Sequence, residues 1–416
     1  MAYKETLERL YALKSRGISL GLDNITELML RMKNPHRNFK SIHVGGTNGK
    51  GTTATFIANI LREEGWKVGL YLSPHVYNFR ERIMLNGEMI PEKKLEKLAS
   101  DVLKFNFGTF FEVLTAMAFK YFSDEKVDYA VVEVGLGGRL DATNIINPEV
   151  AAITNVDMEH SDLLGKNLRA IAKEKAGIIK IGTKAITGEN KREPLDEFKK
   201  VCKVKKVPLY LLGEYVDYEI KGDDRGSSLK VKHMGQALEA RLKMVGEHHG
   251  VNSAIAVGTA KLSSANVSDE SIIKGLEKTI LPGRFEVKER NPYLILDGAH
   301  NPAAIDQVSR ATYLLKYDKL ICVTGMMNDK AIERMAEQIS SFSDKVIITQ
   351  PKLERAADPK YIQVQFKNVG VKAEIIEDVP GAIKHAKKIA SKKDAIIVLG
   401  SFYLVAETMG CGYDVR

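Results

Sequence analysis

The chain alternates short apolar runs with longer stretches whose apolar residues fall three and four positions apart. That is the pattern of strands buried on both faces, each followed by an amphipathic helix. Residues 3–15 and 24–33 read as helices, the second opened by Asn24 with Glu27 three positions on, a capping-box variant. A strand, a glycine loop and a helix fill 41–64. A strand at 67–72 ends in Ser73-Pro74-His75, and 76–90 reads as a long loop with a turn at Asn86-Gly87. Helices are expected at 91–104 and 109–123, buried strands at 127–134 and 150–154, and a helix at 167–181. Alternating polar and apolar positions near 207–243 predict strands with a hairpin around 222–227, followed by helices at 248–263 and 268–279.

Leu281-Pro282-Gly283-Arg284-Phe285 puts proline and glycine together and marks the best boundary. The pattern then restarts, with strands at 293–297, 319–324, 345–349, 373–376 and 395–399 between helical stretches. The expected fold is α/β: a P-loop ATPase domain with a mostly parallel sheet at 1–283, a linker at 284–292, and a smaller C-terminal Rossmann-like α/β domain at 293–416. No internal repeat or low-complexity segment interrupts it.

Composition narrows the class. Of 416 residues, 44% are hydrophobic and 28% charged, which suits a packed globular chain rather than a disordered one. No run of about 18 apolar residues exists, so no membrane partner is expected, and the N-terminus lacks a signal-peptide core, which points to a cytoplasmic protein. Cys202, Cys322 and Cys411 lack metal-ligand spacing and read as reduced structural thiols. The net charge is +9, but the lysines and arginines are dispersed among glutamates and no nucleic-acid-binding signature accompanies them. The balance suits an enzyme whose substrates are small anions rather than nucleic acid, and a monomer is expected, though not from the charge.

The chemistry centres on 41–53, Ser-Ile-His-Val-Gly-Gly-Thr-Asn-Gly-Lys-Gly-Thr-Thr. A glycine loop between a strand and a helix start lets N–H groups approach phosphate oxygens, with the helix terminus adding partial positive charge. Lys50 would reach the β/γ-phosphates, and Thr52 or Thr53 would offer a hydroxyl near magnesium. The string departs from the strict P-loop at Val44 and Gly51, and a plain glycine turn is the bland alternative. Glu133 closes a short apolar strand, as a Walker-B acid does. His160 follows Asp157-Met158-Glu159; because magnesium prefers oxygen, the residues alone favour an ordinary loop histidine. Asp297-Gly298-Ala299-His300-Asn301-Pro302 ends the first strand of the second unit, at the edge where open α/β sheets bind ligands. Without a G-x-G-x-x-G, no dinucleotide is expected there.

Six blocks in order, Gly-Thr-Asn-Gly-Lys-Gly-Thr (46–52), Ser-Pro-His (73–75), Glu-Val-Gly-Leu-Gly-Gly-Arg-Leu-Asp-Ala-Thr-Asn (133–144), Lys-Glu-Lys-Ala-Gly (173–177), Leu-Pro-Gly-Arg-Phe (281–285) and Asp-Gly-Ala-His-Asn-Pro (297–302), resemble the folylpolyglutamate synthases and related bifunctional dihydrofolate synthases, a branch of the Mur ligases. The resemblance spans essentially the whole chain. It implies ATP-dependent addition of L-glutamate to the γ-carboxylate of a folate through an acyl phosphate, and leaves open whether glutamate is also joined to dihydropteroate. It makes Thr47, Asn48, Gly49, Lys50, Gly51, Thr52, Asn252, Arg284 and Asp297 the ATP site. It makes Ser73, Glu133 and His160 the magnesium site, with a second ion through a carbamylated Lys175. Lys50, Lys175 and His300 become the catalytic set, and His300 and Ser401 receive the incoming glutamate. It also implies that Phe110, Phe111, Glu112, Leu140, Asp141 and Ala142 line the pteridine pocket. Two alternatives stay open: another Mur-type amide ligase, against which the 133–144 block argues, and a non-ligase P-loop nucleotide-binding protein.

Overall fold

The computed structural model describes residues 2–233 and 235–411, so residue 1 and residues 412–416, the outer ends of the two expected units, lie outside the described residues. Three sheets organise the chain. The largest has eight strands, ordered in space as Glu88–Met89, Ile83–Leu85, Val68–Tyr71, Tyr129–Glu133, Lys40–Gly45, Val150–Ile153, Lys184–Thr187 and Leu209–Leu211. Six of these run parallel, and the hairpin 83–85/88–89 closes one edge antiparallel. Tyr-Ala-Val-Val of the 129–133 strand is buried on both faces, as a strand sandwiched between helices must be. The phosphate-loop helix Lys50–Glu63 covers one face with Glu247–Leu262 and Asp269–Lys278. Helices Tyr3–Ala12, Asp23–Arg31, Glu92–Leu103 and Phe110–Asp124 belong to the core on the other side, around Leu10, Leu28, Phe119 and Phe122.

A three-stranded antiparallel sheet, Asp217–Asp223, Gly226–His233 and Gln236–Leu242, carries the expected hairpin and packs its apolar face on Glu247–Leu262. The last sheet orders Glu286–Arg290, Tyr293–Leu296, Ala395–Leu399, Leu320–Thr324, Lys345–Ile348 and Glu374–Ile375, all parallel except the first.

Two expectations need correction. Residues 284–292 are not a free linker: 286–290 pairs with 293–296 as the antiparallel edge of the last sheet, with a register shift between Val287 and Glu289. Polar alternation without a second apolar face concealed an edge strand. Residues 76–90 are not a plain loop. Glu81 accepts N–H bonds from Val76, Tyr77 and Asn78 at 2.7, 3.0 and 2.8 Å, which folds 73–82 into a compact turn before the edge hairpin. The chain between 181 and 211 also holds elements that its pattern did not reveal, strand Lys184–Thr187 and helix Arg192–Lys205.

Candidate active site

Strand Lys40–Gly45 lies between Tyr129–Glu133 and Val150–Ile153, all parallel, so the loops after the three strands emerge at one edge. The phosphate loop turns there on Gly46 (φ 138°) and Gly49 (φ 81°), conformations that side chains rarely adopt. Neither could carry a Cβ: it would come within 1.9 Å of Thr154 Oγ1 at Gly46 and within 2.3 Å of Asn252 Oδ1 at Gly49. Gly49 caps the Lys50–Glu63 helix, whose N–H groups face the loop. Lys50 Nζ donates to the carbonyls of Gly46 and Thr47 at 3.1 and 2.9 Å. Asn155 and Asp157 brace the loop from behind, through Asn48 N–H and the Thr47 hydroxyl.

Glu133 is buried at the end of its strand, and its Oε2 accepts the Ser73 N–H at 2.7 Å. Burial pushes its carboxyl above the usual range, against the pull of Lys50, the Ser73 amide and Arg284. A Cβ on Gly51 would lie 3.3 Å from Glu133 Oε2, so a larger residue there would crowd the carboxylate. His160 sits in a left-handed turn (φ 44°) ahead of Ser161–Leu164 and lines the same cleft, exposed. Lys175 is 1% exposed, and its ammonium donates to Gly46 O at 2.8 Å and Glu159 Oε1 at 2.7 Å. Burial lowers the lysine to about 8 even though Glu159 opposes the shift. Burial would raise Glu159, but Lys175 and then Lys50 hold it ionised.

The six-stranded sheet, the second of the two large sheets and hereafter the second sheet, closes the cleft. Asp297 accepts the Phe285 and Ala299 N–H groups, each at 2.6 Å, and burial raises it to about 6. Arg284 stands 4.3 Å above the Phe402 ring. His300 bonds through Nδ1 to Gly298 O at 2.8 Å, and burial, then Lys330, lowers it to about 4. The Asn48 and Asn301 side-chain amides bond reciprocally at 3.3 and 2.9 Å, joining the phosphate loop to the second sheet. The resulting cleft, about 480 Å³, is lined by Gly46–Lys50, Thr52, Ser73, Glu133, His160, Asn252, Arg284, Asp297 and His300 among others.

The remaining expected residues lie elsewhere. Ser401 is buried as the cap of helix Phe402–Thr408, accepting from Leu404 N at 3.1 Å and donating to Gly325 O at 3.3 Å, and does not line this cleft. Phe110, Phe111, Glu112, Leu140, Asp141 and Ala142 are also outside its lining. They form a neighbouring wall: Phe110 stacks on Tyr11 with centroids 5.8 Å apart, and Phe111 lies 5.9 Å from Tyr71. Asp141 accepts from Leu136 N at 2.8 Å and caps Ala142–Ile145. Glu112 Oε1 is buried without a partner among the described residues, as an acceptor awaiting a ligand would be. Sequence reasoning passed over Glu159, although it adjoins His160, and Lys330, whose charge acts on both His160 and His300. The acids in Asp157-Met158-Glu159 and the Asp329-Lys330 pair were the available signals.

Comparison with known proteins places this geometry. The Mur ligase middle-domain family model matches residues 44–260, and that of the Mur ligase glutamate ligase domain matches 283–402. The chain belongs to the Mur ligases. This Mur ligase is 32% identical over 425 residues to a probable bifunctional folylpolyglutamate synthase/dihydropteroate synthase of Haloferax volcanii, covering 98% of this chain and 50% of that protein. It thus spans about half the length of the first curated relatives it matches. The folylpolyglutamate synthase of Thermotoga maritima superposes with a TM-score of 0.85 at 34% identity, over 99% of this Mur ligase and 96% of that chain. The Escherichia coli FolC protein, solved with DHPP and ADP, superposes with a TM-score of 0.90 at 31% identity, over 98% and 97%.

Proposed function

We propose that this Mur ligase joins L-glutamate to the γ-carboxylate of folates at the expense of ATP, through an acyl phosphate, with dihydropteroate as a further acceptor. The observation that carries this reading is one cleft in which the phosphate loop faces the Asp297–Asn301 strand end of the second sheet. A relative solved with ADP supports a nucleotide in that cleft.

ATP would lie with its phosphates on the 46–52 loop at the helix N-terminus. Lys50, now spending its protons on two loop carbonyls, would exchange them for β/γ-oxygens and stabilise charge as the phosphoryl group moves. Asn252, Arg284 and Asp297 would frame the rest of the nucleotide. The Glu133 carboxylate, which lines the cleft beside Gly51, fits magnesium, which favours oxygen donors. Ser73, Glu133 and His160 would hold it, and bound there it would neutralise phosphate charge.

Lys175 fits carbamylation, which needs a neutral amine; a lysine near 8 supplies far more of it at neutral pH than one near 10.5. The carbamate would stand beside Glu159 as a second anion, and that pair calls for a second cation in place of the lysine's own charge. His300 prepares the last step. The Gly298 carbonyl can only accept, so Nδ1 carries the proton and Nε2 keeps its lone pair. Held neutral, Nε2 can take a proton from the glutamate amine as that amine attacks the acyl phosphate and phosphate leaves. Closure of the two sheets would keep water from the acyl phosphate.

ADP release with dihydropteroate, tetrahydrofolate and their mono- and diglutamates, each with and without L-glutamate, tests the reading. Release that needs both a pteridine acceptor and glutamate is expected; release indifferent to both would overturn it.

A further inference from the structure

Next to the cleft, on the Phe110 wall, stand three cations, none of them in an ion pair among the described residues. Lys14 Nζ stands 4.6 Å from the Tyr11 ring centre and 5.6 Å from that of Phe110. The Arg82 guanidinium lies 5.5 Å from the same Phe110 ring, and its Nε donates to His75 Nδ1 at 2.7 Å. Arg355 reaches over from the second sheet's side; it sits 4.9 Å above Tyr403 and donates to its hydroxyl at 2.7 Å. Arg82 is buried, whereas Lys14 and Arg355 are exposed. None of the three makes an ion pair among the described residues; their partners are rings, a histidine and a phenol. Partial burial of the ammonium beneath the rings, then the charges of Arg82 and Arg355, lower Lys14 to about 8.

Like charges held together cost free energy that ring faces offset only in part. An anion laid across them would remove that cost, and guanidinium and ammonium groups on a rigid aromatic shelf suit carboxylates. The cluster borders the wall expected to hold the heterocycle, and Arg355 also acts on Asp329, beside the Lys330 that faces His300. It therefore borders the heterocycle wall through Phe110 and extends through Arg355 toward the six-stranded sheet. We propose that Lys14, Arg82 and Arg355 form a seat for the α-carboxylates of the acceptor's glutamyl chain, so that this site sets the preference for tail length. The inference rests on the folate-ligase reading. With the heterocycle and the reacting γ-carboxylate both fixed, each added glutamate must bulge outward between them. The bulge carries one more negative charge per residue, and this is the patch of unpaired positive charge that would meet it.

The test uses the full chain and compares KM for monoglutamyl and triglutamyl tetrahydrofolate. Lys14→Ala and Arg355→Ala alter exposed side chains and avoid the buried Arg82. Each should raise KM for the triglutamate relative to the monoglutamate about threefold, and the pair about tenfold, with kcat changing less than KM. Lys14→Arg should return the ratio toward wild type. Lys352→Ala removes a neighbouring exposed charge and should leave the ratio alone. An unchanged ratio in the double variant, or an equal change in Lys352→Ala, overturns the seat. If the wild type ligates no folate of any length, the folate-ligase reading falls and the seat with it. If it ligates folates and the ratio does not move, the seat alone falls.

Discussion

Lys175 Nζ stands 2.7 Å from Glu159 Oε1, sealed from solvent, with the Gly46 carbonyl as its only other acceptor among the described residues. The folded protein holds this lysine near 8, below its ordinary 10.5, so the folded state gives up its proton first as pH rises. The unmodified lysine therefore costs stability below about pH 8, and the cost is relieved between about 8 and 10.5. Uptake of ¹³C-labelled carbon dioxide at this residue should follow the neutral amine, rising about tenfold per pH unit below 8 and flattening above it. A plateau near 10.5, or equal labelling of Lys175→Ala, would remove the carbamate from the mechanism.

Glu159→Gln should strip the buried ammonium of its counter-charge while keeping the shape of the side chain. Leaving one partner of a buried pair alone costs about 3–5 kcal/mol, so the melting temperature should fall by several degrees at pH 7. The loss should shrink toward pH 9, where the lysine becomes neutral. A pH-independent loss would show that Glu159 acts by packing alone.

Lys50→Ala should reduce turnover by at least about 100-fold, the order expected when one contact to developing charge is removed. The Gly46 carbonyl keeps its bond from Lys175 Nζ, so folding should be little affected. Near-normal turnover would mean that Lys50 never meets the transferred group.

Gly298→Ala places a Cβ 2.1 Å from the Phe402 ring, which must move, and Phe402 supports Arg284 at 4.3 Å. We expect about 1–3 kcal/mol of destabilisation, the usual cost of overpacking, and a raised KM for ATP. Gly298→Ala in a Phe402→Leu background should cost less than in the parent. An equal cost in both backgrounds would uncouple the two positions.

Much of this was readable because strong periodicity and rigid turn chemistry coincide. The strand 129–133 is apolar up to Glu133 because helices cover both its faces, and the glycines at 46 and 49 announce turns where a Cβ would clash. The edge strand 286–290 was hidden because one side of it faces solvent, so its residues look like a charged linker. The site's cross-links were hidden for a different reason. Glu159 and Lys175 are 16 positions apart, and Asn48 and Asn301 are 253 apart; no local pattern encodes such pairs. Ser401 carries two readings, since a hydroxyl at a strand end also caps the next helix.

The reciprocal amide bond between Asn48 and Asn301 ties two equilibria together, nucleotide occupancy and the approach of the second sheet. Asn301 also caps helix Pro302–Thr312 through Ala304 N, so it cannot turn without loosening that helix. A ligand on the loop that turns Asn48 must then pull on the other sheet, and a ligand that draws the sheets together must hold Asn48 in place. Linkage makes the two influences equal in free energy. The loop and the second substrate's side of the cleft would thus sense each other in the ground state, before any bond is made or broken.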